Sequence, residues 1–238
     1  MWKTFFIICD ILCYLIPNRK KQQYIRKQLL FDWKNKYKAL KHACPDLNFK
    51  KTKIIRGGWN IGFIVDNKYV FKITKTYDET KTLSKITKEK RITDTFRNYV
   101  QIQIPNISII KTPEFVFYRY NFIPGKNLNH LSQHTINKYR DRFASEIAAF
   151  INSIHNTDPQ EICDLKSHDG DGWNHNDICN NILVNTKTNH IIGIIDWEYA
   201  GWGNLKTEFN NCVAFSSKLR KSDILDSIKS EYQKLQHK

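Results

Sequence analysis

At 238 residues the chain can bury a core of its own without disulfide help, as one domain or as two modest lobes. Its six cysteines, Cys9, Cys13, Cys44, Cys163, Cys179 and Cys212, form no CxxC pair and no zinc-ligand spacing. That sets aside a metal knuckle and a secreted disulfide framework, and the chain reads as reduced and cytoplasmic. A formal charge of +15 favours anionic partners, while no arginine-rich arm, helix-turn-helix signal or aromatic-studded basic strand points to nucleic acid.

The opening "WKTFFIICDILCYLI", Trp2 to Ile16, is nearly all apolar but carries Asp10 and stops at Pro17. It falls short of the roughly 20 apolar residues of a membrane-spanning helix. It also lacks the basic start and small-residue cleavage site of a secretory signal. The strongly basic "NRKKQQYIRK" follows. Together, residues 2–28 suit an apolar anchor lying in the headgroup region of an anionic membrane, with cationic side chains on lipid phosphates. That would place the protein peripherally on the inner face of the cell membrane; the alternative is a helix packed on the protein body. An apolar helix ending in "YLIP" before basic residues resembles the openings of bacterial enzymes that build surface polysaccharides. Residues 1–45 are read as this helical extension.

In "KTKIIRGGWNIGFIVDNKYVFKITK", three short β-rich runs around Ile54-Ile55, Phe63–Val65 and Tyr69–Ile73 are separated by Gly57-Gly58 and by the turn Asp66-Asn67, which predicts consecutive antiparallel strands. Glycines there let backbone amides approach an anion. Lys72 sits mid-strand, where a charge needs a partner or a cleft. The two read as a phosphate cradle or as an ordinary hairpin. Next, "TLSKITKEKRITDTFRNY" is a polar helix carrying Glu89, and "EFVFYRYNFIPGKNLNHL" gives one more strand and a break at Pro124-Gly125. A first lobe of residues 46–122 and a second of 123–238 follow.

In the second lobe, Ile136, Tyr139, Phe143, Ile147, Phe150 and Ile154 repeat at the three-and-four spacing of a buried helix face. The segment "GWNHNDICNNILVNTKTNHIIGIIDWEYAGWG" then places two β runs, "NILV" and "HIIGIID", on either side of a turn. The hairpin carries Asn181 at one edge and Asp196 at the other, with Asp177 just before. Two acids and an amide can hold a hard divalent cation; capping and turn chemistry is the alternative for any one of them.

The "HND", "NIL" and "IIDWEYAG" segments, with the glycine turn, "YVFKI" and "FIPG" in the same order, resemble the aminoglycoside phosphotransferase and choline kinase family over roughly Lys50 to Gly203. The resemblance implies an α+β, protein-kinase-like bilobal fold with a small antiparallel-sheet N-lobe and a mainly helical C-lobe, behind the helical extension. It implies a kinase using ATP and Mg2+ on a hydroxyl-bearing acceptor. Asp177 would orient and deprotonate the acceptor hydroxyl, and His175 would brace its loop. Asn181 and Asp196 would ligate magnesium. Lys72, positioned by Glu89, would hold phosphates above Gly57 and Gly58, and the hinge around Tyr120 and Phe122 would take adenine. The family separates the aspartate and asparagine by four residues, whereas three separate Asp177 from Asn181.

Trp197, Glu198, Tyr199 and Trp202 lie where an acceptor would sit. They could cage the quaternary amine of choline, as similar residues do in choline kinases, or stack on a sugar, or pack the loop; a choline or ethanolamine kinase is the alternative function. The tail after Leu205 has room for one or two helices, so the acceptor site is expected to be open. An open site, a basic surface and a membrane anchor suit a lipopolysaccharide or other surface-polysaccharide sugar. A nucleotide-binding pseudokinase scaffold is the reading from a different class, and the shortened loop is its motive.

Overall fold

The computed structural model describes residues 2–28, 32–57, 60–74, 78–215 and 220–237. The chain forms two compact units, Met1–Ile86 with Asn106–Phe122, and Thr87–Pro105 with Ile123–Lys238.

In the first unit, helices α1 (Trp2–Tyr14), α2 (Arg19–Gln28) and α3 (Trp33–Ala43) precede five antiparallel strands. These are β1 (Thr52–Arg56), β2 (Asn60–Val65), β3 (Tyr69–Thr74), β4 (Ser108–Lys111) and β5 (Val116–Asn121), in the order β1-β2-β3-β5-β4. Asp66 and Asn67 take φ of 53° and 52°. Left-handed dihedrals at both central residues match the twist of a tight hairpin, which is why these residue types stand there. The three expected strand runs fall in β1, β2 and β3. β4 was not expected.

Alternation along the strands sorts the sheet into two faces. Phe63, Phe71, Ile73 and Phe117 pack on Trp33 and Leu40 of α3 and on Cys13 of α1. Gly62, Lys72 and Tyr118 stand side by side in register on the opposite face. On α1, the buried carboxylate of Asp10 pairs with Lys34. The acid that interrupts the apolar run therefore faces the unit. The outer surface of α1 exposes Phe5, Ile7, Ile8, Ile11, Leu12 and Tyr14. No helix among the described residues is long and apolar enough to cross a membrane.

Helix α4 (Glu79–Phe96) begins in the first unit and ends in the second. The second unit contains β6 (Lys126–Asn127), α5 (Gln133–Lys138), α6 (Arg140–His155), β7 (Gly172–Asn174), β8 (Ile182–Asn185), β9 (His190–Ile194), β10 (Gly201–Gly203), α7 (Leu205–Phe215) and α8 (Ile224–Gln236). Helix α6 buries Phe143, Ile147, Phe150 and Ile154, the face its periodicity marks, and packs along α8. β8 and β9 form the expected hairpin, extended by β6. β7 and β10 pair separately, with Trp173 opposite Trp202. The α+β class with a sheet-based unit and a mainly helical one is the architecture the sequence predicts.

Candidate active site

In the first unit, Lys72 is buried on β3 with its Nζ 5.7 Å from the centre of the Tyr118 ring. Gly62 stands opposite it in the β2–β3 register. Gly57 closes the β1–β2 turn through its N–H to the carbonyl of Asn60 at 2.9 Å. Gly58 lies outside the described residues. Tyr120 is buried on β5, and Phe122, just after that strand, places its N–H on the Lys68 carbonyl at 2.7 Å.

The second unit holds the polar loop. Asp177 stands between β7 and a single 3-10 turn, Ile178–Asn180. Asn180 Nδ2 donates to Asp177 Oδ1 at 2.7 Å, and Asn181 Nδ2 donates to Oδ2 at 3.0 Å. The loop that is one residue short thus closes as a tight turn, with the Asn181 N–H on the Ile178 carbonyl at 2.9 Å, and both asparagines grip one carboxylate. With Nδ2 of Asn181 committed, its Oδ1 is the end able to meet a cation. Burial holds the Asp177 carboxyl above the usual carboxylate range, against the two amide hydrogen bonds, and the negative charge of Asp196 pushes it the same way as burial. The Ile195 N–H donates to the Asn181 carbonyl at 3.1 Å, which sets the segment of Asp196 beside the loop.

His175 is fully buried, edge-on to the Trp197 ring. Its Nε2 donates to the Ile195 carbonyl at 3.1 Å and its Nδ1 accepts the Asp177 N–H at 3.3 Å. One neutral imidazole spans the segments that carry Asp177 and Asp196, and both ring nitrogens are committed to backbone. Asp196 takes φ 67°, and Asn176 takes φ 65°. Side chains with short polar arms tolerate this left-handed region, which is uncommon for other residues.

Glu89, on α4, accepts the Trp197 N–H at 3.2 Å and so holds the residue after Asp196. Glu89 and Lys72 belong to different units. The aromatic set divides. Trp197 is 1% exposed, donates Nε1 to the Ile194 carbonyl and packs among Phe96, Phe150 and His175. Its ring belongs to the core, which corrects its expected place at the acceptor. Trp202 meets Trp173 edge-on and has Lys166 Nζ 4.4 Å above its ring. Glu198 is half-buried and Tyr199 exposed, and the Tyr199 carbonyl accepts Asn176 Nδ2 at 3.0 Å.

Four residues that shape the loop were not expected from the sequence. Asn127 Nδ2 donates to the Asn180 carbonyl at 2.6 Å, and Asn129 Nδ2 donates to the Cys179 carbonyl at 2.9 Å. Glu208 and Asn211, both on α7, bond Asn176. For Glu208 a signal exists: in "LKTEFNNC" it falls on the same helical face as Leu205, Phe209 and Cys212, where an acid is out of place.

Residues 163–231, which include the Asp177 loop, Asp196 and α7, match the model of the phosphotransferase enzyme family. No curated protein matches the chain. Among solved structures, the ADP-bound aminoglycoside phosphotransferase APH(2'')-Ib superposes with a TM-score of 0.65 at 15% identity, over 82% of this chain and 81% of that one. The chain has the aminoglycoside phosphotransferase fold. A second member of that group, in complex with GDP and kanamycin, gives a TM-score of 0.66 at 15% identity, covering 84% of this chain and 82% of its own. A macrolide 2'-phosphotransferase from Brachybacterium faecium gives 0.58 at 12% identity, with 82% of each chain covered. The resemblance read from the sequence is borne out by the fold and by the matched segment.

Proposed function

We propose that the protein is an ATP-dependent phosphotransferase acting on an alcohol group of a saccharide. The observation that carries this is the Asp177 carboxylate, gripped by Asn180 and Asn181 and coupled to Asp196. An alcohol attacks a phosphoryl group only when it is aligned and its proton has somewhere to go. A carboxylate held at both oxygens and raised by burial supplies the alignment and accepts the proton. Lys72, on the face of the sheet away from α3, would neutralise phosphate charge, as P-loop and kinase lysines do.

Magnesium fits the residues present. Asp196 and the Oδ1 of Asn181 would hold it, and it would supply charge neutralisation at the phosphate oxygens. Among the described residues no three or more His, Cys, Asp or Glu gather to bind a metal without help. This suits a cation that arrives with nucleotide and takes its remaining ligands from phosphates and water.

The acceptor reading favours a sugar over a quaternary amine. A cation cage needs free aromatic faces, yet Trp197 is core and Lys166 already covers Trp202. Tyr199 is exposed beside them. ATP turnover over a panel of deacylated bacterial glycolipid, aminoglycosides, choline and ethanolamine tests this. Turnover on the glycolipid alone supports the reading, and turnover on choline or ethanolamine overturns it. Nucleotide binding with no acceptor phosphorylated would return the scaffold reading.

The protein would meet that acceptor on the inner face of a membrane. Phe5, Ile8 and Leu12 form one stripe on α1 that Leu15 continues, Ile7, Ile11 and Tyr14 form the next, and all seven are exposed. An apolar surface of this kind beside the exposed Arg19, Lys20 and Lys21 of α2 complements an anionic lipid surface. Sedimentation with phosphatidylglycerol vesicles should capture the protein. Ile11→Glu with Leu12→Glu should abolish capture, since each charge replaces an apolar contact at the headgroup boundary. Equal capture of both forms, or a wild type that dimerises in solution and ignores vesicles, would reject the membrane assignment.

A further inference from the structure

On the face of the sheet that carries α3, away from Lys72 and Tyr118, a cleft of about 560 Å³ opens between that helix and the β4–β5 turn. It lies wholly within the first unit. Helix α3 lines it with Ala39 and Ala43, four apart and so on one face, which leaves a gap that larger side chains would close. The opposite wall is stiff. The Thr112 N–H and hydroxyl both donate to the Phe115 carbonyl, at 2.8 and 2.9 Å, and the Phe115 N–H donates to Thr112 Oγ1 at 2.9 Å. The Phe115 ring meets Phe117 edge-on at 6.3 Å, with Lys36 Nζ 5.9 Å from its centre, and adds an apolar surface. The polar lining is mainly basic. Lys38 and His42, four apart, line the helix side and Lys111 the strand side, while Glu114 is the one acid among the lining residues. Lys34 on the same helix pairs with Asp10, and Lys36 donates to the Thr74 carbonyl at 2.7 Å. Among the described residues Lys38 and Lys111 pair with no carboxylate, and both are exposed.

We propose that this cleft binds the phosphomonoester headgroup of a membrane lipid, phosphatidic acid being the simplest, with the phosphate among Lys38, His42 and Lys111 and the glycerol over Ala39, Ala43 and Phe115. The volume is that of a small-ligand site. A phosphomonoester carries close to two negative charges at neutral pH, whereas a phosphodiester carries one. Two lysines from opposite walls therefore favour the monoester, and the histidine adds a ring N–H donor. The apolar floor selects in a second way. An amphiphile has carbon to bury there, and inorganic phosphate has none. The proposal deepens the membrane reading given above by naming a lipid, but its chemistry does not depend on the exposed face of α1.

The test titrates the full chain with dihexanoylphosphatidic acid below its micelle-forming concentration, a probe that needs no bilayer. Backbone amide NMR shifts should saturate and cluster on α3 and residues 111–115. Binding should be at least about tenfold tighter than for dihexanoylphosphatidylglycerol or inorganic phosphate, the difference that one charge-assisted contact makes. Lys38→Ala and Lys111→Ala should each weaken it about tenfold, and Glu114→Gln, which removes the opposing charge, should tighten it. Lys229→Ala, an equal loss of charge on α8, should leave it within about twofold. Ala39→Leu keeps every charge and fills the floor, so it should also weaken binding about tenfold, with an unchanged urea midpoint showing that the fold is kept. Shifts elsewhere, equal affinity for the diester or for inorganic phosphate, or binding that Lys38→Ala and Ala39→Leu leave intact would overturn the cleft. A wild type that binds the soluble lipid here yet ignores vesicles rejects the membrane assignment of α1 and keeps the cleft. One that sediments with vesicles but gives no shifts on α3 does the reverse.

Discussion

Replacing Asp177 by asparagine is expected to lower phosphoryl transfer by about 10²–10⁴-fold, the range that general acid–base groups contribute. Magnesium-ATP affinity should stay within about twofold, because the interaction lost is made with the acceptor hydroxyl. Asparagine preserves the shape of the carboxylate but cannot accept the proton. It also turns one amide contact into a clash of donors, since Asn180 and Asn181 both present N–H groups to this side chain. Asp196→Asn should lower transfer comparably but should also weaken magnesium-dependent nucleotide binding, because its charge is the one proposed to meet the cation. Single-turnover kinetics with a separate nucleotide-binding titration separates the two. If Asp177→Asn weakens nucleotide binding as much as Asp196→Asn and leaves the transfer step intact, the two acids have been given the wrong roles.

How far the sequence carries this site depends on the kind of signal each residue leaves. The β8–β9 hairpin was legible because its apolar runs are bounded by a polar turn, and the positions of Asp177, Asn181 and Asp196 follow from it. So was the face of α6, whose apolar residues recur at three and four. β4 was not, since "SIIK" is a short run with prolines on both sides at Pro105 and Pro113. β7 and β10 are three residues each, too short for alternation to show, and their pairing is non-local. Trp197 misled for a different reason. A tryptophan after a polar aspartate looks available to a ligand, yet the left-handed turn at Asp196 carries the next side chain into the core. The consequences of the missing loop residue could not be read from spacing alone, because they depend on asparagine side chains at 127 and 129 that reach the turn from some 50 positions away.

Glu208 gives the second large effect, on stability rather than rate. Burial pushes its carboxyl up to about 7, against the hydrogen bonds from the Asn176, His175 and Ile178 N–H groups, with the charge of Asp177 acting in the same direction as burial. The buried Cys179 thiol, raised first by its hydrogen bond with Cys212 and by burial, is raised further by the charge of Glu208. A folded-state value above the unfolded one means that the native protein holds this proton more tightly. The stabilisation is therefore fully present below the ordinary glutamate range and is lost as pH rises through about 7. Each pH unit between the unfolded and folded values is worth roughly 1.4 kcal/mol. Wild type should therefore lose about 3 kcal/mol between about pH 4 and pH 8 that Glu208→Gln, which cannot titrate, does not lose. Urea unfolding of both proteins across that window measures the difference directly, because titrations of groups remote from Glu208 are common to the two and cancel. Parallel curves would mean that Glu208 stays charged with little penalty, its three N–H neighbours outweighing burial. A gap that opens as pH rises, with the glutamine variant gaining on wild type, would show the acid beneath the Asp177 loop held in place at a measurable loss of stability.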